Sequence, residues 1–297
     1  MQFTSKMKKL SFLAILIAFI STTAFAGGPW PQKKGKAYIK LSEWWTVFDT
    51  HFTTRGFEDP NATTGIYNTS VFVEYGITDR FTGIVNAPVL SRNFMNNIVS
   101  GTTGETIIPG EAINTIGDID LGLKYSLNGR DAKFPMALTL TLGIPTGETA
   151  GGTQENLATG DGEFNQMLRY DVGTGFKLGN DISAYSAGYA AFNNRTEDFS
   201  EEFRYGLEIG FGFLKERIWL VGKFDVSDSF KNGSFNQAIT NTSIFADQSE
   251  FVNVGAEINI YVTKKLGVSA GFTEIITGEI IAASPSYSVG VFLDLEK

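Results

Sequence analysis

From residue 117 to 127 the sequence GDIDLGLKYSL places an apolar side chain at every second position and sets charges between them. In an extended strand Ile119, Leu121, Leu123, Tyr125 and Leu127 share one face, while Asp118, Asp120, Lys124 and Ser126 share the other. The pattern returns at once, with Phe134, Met136, Leu138, Leu140, Leu142 and Ile144 alternating with Ala137, Thr139, Thr141 and Gly143. The intervening NGRDAK is a short polar turn, so the pair reads as a hairpin with two faces of opposite character. Such a hairpin suits a soluble sandwich, whose apolar face meets a core, or a membrane barrel, whose apolar face meets lipid.

The start of the chain distinguishes the two. Lys6, Lys8 and Lys9 precede an apolar run from Leu10 to Ile20 that closes on Ala24-Phe25-Ala26. This is the layout of a cleavable secretory signal, and the run is shorter than the roughly 20 residues a helical span needs. Residues 1–26 are therefore expected to be a signal peptide and residues 27–297 one exported domain. No later segment is long and apolar enough for a transmembrane helix, which leaves an exported soluble protein or a barrel.

Cysteine is absent, which excludes thiol chemistry and a lipidated N-terminal cysteine. The formal charge is −8, and loss of the signal would remove three lysines and no acid, so the mature chain is more acidic still. Such a chain is a poor nucleic-acid ligand. With 33 glycines, 25 phenylalanines and almost no helical periodicity, the composition points to an all-β fold.

Alternation and turn chemistry define twelve strands, near 35–49, 63–76, 80–92, 117–127, 134–145, 163–176, 182–193, 202–213, 218–229, 249–262, 266–276 and 285–295. The connections sort by length. Those around 76–80, 128–133, 177–181, 214–217 and 263–265 are short; those at 50–62, 93–116, 146–162, 194–201 and 230–248 are long, with a shorter last loop near 277–284. Short turns on one rim and long loops on the other are the plan of an antiparallel up-and-down barrel in the outer membrane of a Gram-negative cell, with both termini on the periplasmic side. Aromatic residues near the rims fit two interfacial girdles: Tyr75, Phe81, Tyr125, Phe134, Phe213 and Tyr261 on the short-turn side, Trp45, Phe94, Phe192 and Phe230 towards the long loops.

If the apolar parity faces lipid, the other parity lines the lumen. It carries Lys40, Glu74, Asp118, Asp120, Lys124, Arg169, Asp171, Arg204, Glu208, Lys223, Asp225 and Glu257. An ionised group held against lipid near the midplane costs on the order of 2–4 kcal/mol, so confinement of these charges to one parity supports the barrel. They are candidates for a solute path; equally, near-balanced charge suits a salt-bridge network that braces a closed interior. Tyr38, Trp44, Phe72, Trp219, Phe251 and Phe292 share that parity and add apolar surface.

Other chemistries find little support. His51 is the sole histidine and reads as a solvated residue at the extracellular end of the first strand, with no spacing that specifies a catalytic triad. One histidine and no cysteine make a zinc site a poor fit. The acid-rich loop 147–163, in which Asp161 and Glu163 offer calcium ligands, lacks an EF-hand or nonapeptide pattern and reads as solvated and mobile. Gly210-Phe211-Gly212 lies within a strand and opens no helix, so it is not a dinucleotide motif. No cofactor is expected.

The segments EYGITDRFTGIVNAPV at 74–89, GDIDLGLKYSL at 117–127 and LTLTLGIPTGE at 138–148 resemble the meta-pathway phenol-degradation family of outer-membrane β-barrel proteins, best between about 70 and 215. The resemblance implies a passive transporter of hydrophobic or aromatic compounds. Against that stand the charged lumen and the eight or so residues between Gly27 and the first strand, which read as too few for an N-terminal plug. The chain also ends Leu295-Glu296-Lys297 rather than on an aromatic residue. The expectation is thus an outer-membrane barrel of about twelve strands, in contact with lipid and passing small solutes. The alternatives are a non-conducting structural or surface-interaction barrel and an outer-membrane hydrolase; oligomeric state is left open.

Overall fold

The computed structural model describes residues 27–234 and 245–297; the expected signal peptide and part of the 230–248 loop lie outside the described residues. Twelve long strands run in chain order: β1 Ala37–Phe52, β2 Glu58–Gly76, β3 Phe81–Met95, β4 Ile119–Ser126, β5 Met136–Ile144, β6 Asn165–Leu178, β7 Ile182–Asn194, β8 Glu202–Phe213, β9 Ile218–Ser229, β10 Glu250–Tyr261, β11 Leu266–Glu279 and β12 Ser286–Asp294. Each pairs antiparallel with its neighbours, and β1 also pairs with β12, for example Lys40 opposite Phe292, so the sheet closes on itself. Closure removes both sheet edges and gives each long strand a partner on both sides, which a bilayer demands.

The twelve strands expected from alternation are the twelve observed. The outer parity is apolar and exposed, with Leu41, Leu121, Leu123, Leu140, Leu168, Leu207, Val289 and Val291 all on the surface. An apolar surface that encircles a protein is unsuited to water and matches the lipid band of a barrel. Tyr75, Phe81, Phe134, Phe192 and Phe230 are likewise exposed. Tyr261 is not a girdle residue: it is buried, and its hydroxyl donates to Asp294 at 2.8 Å. Its parity is that of Glu257 and Asn259, and parity, not nearness to a rim, decides which way a strand residue points.

Two loops differ from expectation. The stretch 50–62 is not a long loop, because β1 and β2 stay paired through most of it, with His51 opposite Asp59, and leave only a tight turn at 53–57. Gly56, at φ +73°, lets that turn close, and its N–H donates to the Thr53 carbonyl at 3.0 Å. His51 is therefore a strand residue with a buried Nδ1 rather than a solvated loop residue. The 93–116 connection contains a small hairpin, Ile98–Val99 with Thr106–Ile108, and a strand Glu111–Thr115 that extends the wall by pairing with β3.

Candidate functional site

Side chains fill the lumen at several levels. The floor, at the short-turn end, is built by the segment that precedes β1. Gly27 and Gly28, both at positive φ, turn the chain inward, and Pro29 and Trp30 are buried inside the barrel. The Trp30 ring meets Tyr185 edge to face at 5.7 Å. Beneath it Glu74 and Lys124 pair at 3.0 Å with side chains 1% and 3% exposed. The second Glu74 oxygen accepts from Gln32 Nε2 at 3.0 Å and from the Gly27 N–H at 3.1 Å. Lys124 also donates to the Trp30 carbonyl at 3.5 Å, and Arg130 to the Pro31 carbonyl at 2.7 Å. Arg130 and Lys33 both pair with Glu296, so the charged C-terminal tail closes over the same segment. Few as these residues are, they occupy the lumen at its short-turn end. A proline on each side of Trp30 stiffens the chain that carries the indole, and that is the signal the sequence offered.

The middle layer joins aromatic rings to charges. Tyr38, Tyr185, Trp219, Tyr261 and Phe292 form one buried cluster that Trp30 joins from the floor and Phe72 packs against, while Trp44 packs against a second cluster of Phe48, Ile66 and Ala282. Three of these rings lie over in-strand glycines. A Cβ at Gly210 would stand 1.9 Å from the Tyr185 ring, one at Gly212 2.6 Å from Trp219, and one at Gly267 2.2 Å from Phe292. Glycine opposite a ring on the next strand is what lets large side chains fit a narrow lumen. Glu257 stands between Lys40 at 3.2 Å and Lys223 at 2.9 Å, and Tyr185 donates its hydroxyl proton to Glu208. These groups border a cavity of about 100 Å³, which Asn259 also lines.

Above it, Arg169 pairs with Asp171 at 2.7 Å and lies 3.8 Å from the centre of the Tyr189 ring, whose hydroxyl donates to Asp225 at 2.9 Å. Asn86 donates to Asp120 at 3.2 Å. All twelve candidate charges are therefore engaged, and the arrangement is a set of small local groups rather than one network. Phe251 lines the wall here, partly buried.

The long-loop mouth holds a cluster that alternation did not reveal. Arg195 pairs with Asp161 at 3.2 Å, with Glu202 at 2.9 Å and with Glu163, while Arg204 holds the other side of Glu202 at 2.5 Å. Asp118 accepts from the Gly147 and Asp161 N–H groups at 2.8 and 3.0 Å. The loop 145–164 is thus docked and not freely solvated: Leu157, Ala158 and Thr159 are buried, and the Ala158 carbonyl accepts from Asn93 at 2.8 Å. Asp161 and Glu163 serve Arg195 instead of standing as free calcium ligands. Burial, with Glu163 and Asp118 beside it, pushes the Asp161 carboxyl up to about 7, and burial raises Glu163 as well.

No family model matches the sequence, and no curated protein does. The meta-pathway resemblance therefore stands on the quoted motifs alone. Among solved structures, the COG4313 outer membrane channel from Pseudomonas putida F1 is similar over 91% of this chain and 99% of its own, at 17% identity and a TM-score of 0.56. The NanC porin is similar over 86% and 100%, at 8% identity and a TM-score of 0.47. At this identity the first likeness concerns the fold, and the fold is that of an outer-membrane barrel.

Proposed function

We propose that the protein is an outer-membrane channel through which small solutes pass by diffusion. The observation that carries this reading is the cavity enclosed by the closed barrel, bordered at once by Lys223 and Glu257 and by Tyr38, Trp219 and Phe292. A mixed lining of that kind suits an amphipathic solute, with the rings taking an apolar body and the charges orienting a polar group. Lys40, Glu74, Asp118, Asp120, Lys124, Arg169, Asp171, Arg204, Glu208, Lys223, Asp225 and Glu257 are the residues assigned to the path. Aromatic or hydrophobic solutes are the class favoured by the ring-rich middle layer, and the charges restrict them to ones that carry a polar end.

The Pro29-Trp30 segment buried in the floor favours a second reading, a barrel that conducts nothing and serves structurally. Planar-bilayer recording of the folded protein separates the two. The channel reading expects discrete openings and a conductance reduced by an added aromatic carboxylate but not by a neutral sugar. A lumen silent under every solute and voltage supports the structural barrel.

A further inference from the structure

Gly27 stands immediately after Ala24-Phe25-Ala26, whose small residues flank the expected cleavage point, and its nitrogen lies 3.1 Å from a carboxylate oxygen of Glu74. Inside a longer chain that nitrogen is an amide with one hydrogen to donate. We propose that cleavage after Ala26 turns the Gly27 nitrogen into an α-ammonium that Glu74 binds, so that export processing itself fastens the Pro29-Trp30 plug in the barrel floor. The inference rests on the signal-peptide reading and is independent of whether the lumen conducts.

The bond change is a hydrolysis carried out by a peptidase of the export machinery. The Ala26–Gly27 C–N bond breaks, water supplies hydroxide to the Ala26 carbonyl carbon and a proton to the Gly27 nitrogen, and a second proton from solvent gives the ammonium. An α-amino group has an ordinary pKa of roughly 7.7–8.0, so the charged form predominates at neutral pH.

Glu74 is laid out for such a ligand. One oxygen is taken by Lys124, and the other faces the Gly27 nitrogen and Gln32. A hydrogen bond from a charged donor is about twice as strong as one from a neutral donor. Gly27 is only partly buried, which leaves water to meet the remaining ammonium hydrogens, whereas Glu74 is fully buried and gains from each donor that replaces lost hydration. The two glycines at positive φ, +91° and +61°, are the hinge that brings the new terminus to the carboxylate. At Gly28 a Cβ would sit 3.3 Å from the Trp30 ring, so that turn and the buried indole are built together.

The test uses protein purified from outer membranes. Intact mass identifies the first residue, and brief acetylation at pH 7 measures the reactivity of the α-amine against that of exposed Lys34. The expected results are a chain beginning at Gly27 and an α-amine at least tenfold less reactive than in Glu74→Gln. A second variant, with Gly-Ser inserted between Ala26 and Gly27, moves the amine away while keeping Glu74 and Lys124 paired. It should label as fast as Glu74→Gln and serves alone if that variant does not fold. A mature chain beginning elsewhere, or equal labelling of the wild type and the insertion variant, overturns the proposal.

Discussion

Lys124 on β4 and Glu74 on β2 meet at 3.0 Å inside the barrel although β3 lies between their strands. The pair joins two walls through the lumen, and the N-terminal segment hangs from it by Gln32, Gly27 and the Trp30 carbonyl. A buried ion pair of this kind contributes little over a well-packed apolar pair, but it makes each partner costly to remove alone.

Lys124→Met should therefore destabilise the folded barrel by about 3–5 kcal/mol, because one oxygen of the buried Glu74 loses its side-chain cation. The double variant Lys124→Met/Glu74→Leu should recover part of that loss. Urea unfolding in lipid vesicles measures both, and a single variant as stable as the wild type would contradict the assigned role of the pair.

What alternation could and could not disclose follows from range. Which parity of a strand meets lipid is written in neighbouring residues, as in Asp120-Leu121-Gly122-Leu123-Lys124, so the twelve strands are legible. Docking of the loops is not. Arg195 meets Glu163 across 32 residues and Asn93 meets Ala158 across 65, and no local period encodes those contacts. The partner of the floor's indole is hidden for the same reason, since Trp30 meets Tyr185 across the lumen, although the prolines that flank it are visible in the sequence. Tyr261 shares the parity of Glu257 and Asn259, and that parity, not its nearness to a rim, gives its inward direction.

Replacing Trp30 by Ala removes the ring that fills the floor while leaving Glu74 and Lys124 paired. If the lumen conducts, Trp30→Ala should raise single-channel conductance several-fold in planar bilayers. Unchanged conductance would mean that the narrowest point lies elsewhere.

Tyr185 rests against Gly210, where a methyl group would fall 1.9 Å from the ring. Gly210→Ala must push the ring and its hydroxyl away from Glu208. Overpacking of this kind costs about 1–3 kcal/mol. The expected outcome is a lower urea midpoint together with altered near-ultraviolet circular dichroism; retention of both would show that the lumen can yield at this point.

The outer loop should respond to pH. The Asp161 carboxyl, raised to about 7 chiefly by burial, binds a proton in the docked loop that it would release in water near its ordinary value. The docked state thus holds more protons between roughly pH 4 and 7, and docking weakens as pH rises through that window. A spin label at Glu155, on the exposed part of the loop, should be more mobile at pH 8 than at pH 5. Asp161→Asn should flatten the response, and a pH-independent spectrum in the wild type would contradict it.

Glu257 is the only acid bonded to Lys40 and Lys223 among the described residues, and it holds both ammonium groups beside the central cavity. Glu257→Gln keeps the size and most of the hydrogen bonding of that side chain while leaving two positive charges on the lining. A ring or cluster of unpaired lysines favours anions in a pore. In a potassium chloride gradient the reversal potential of Glu257→Gln should therefore move towards that of chloride. Lys40→Met should move it the other way, because Glu257 then faces a single lysine. If both variants leave the reversal potential where the wild type has it, the permeant ions do not pass this layer, and the solute path through Lys40, Lys223 and Glu257 is wrong.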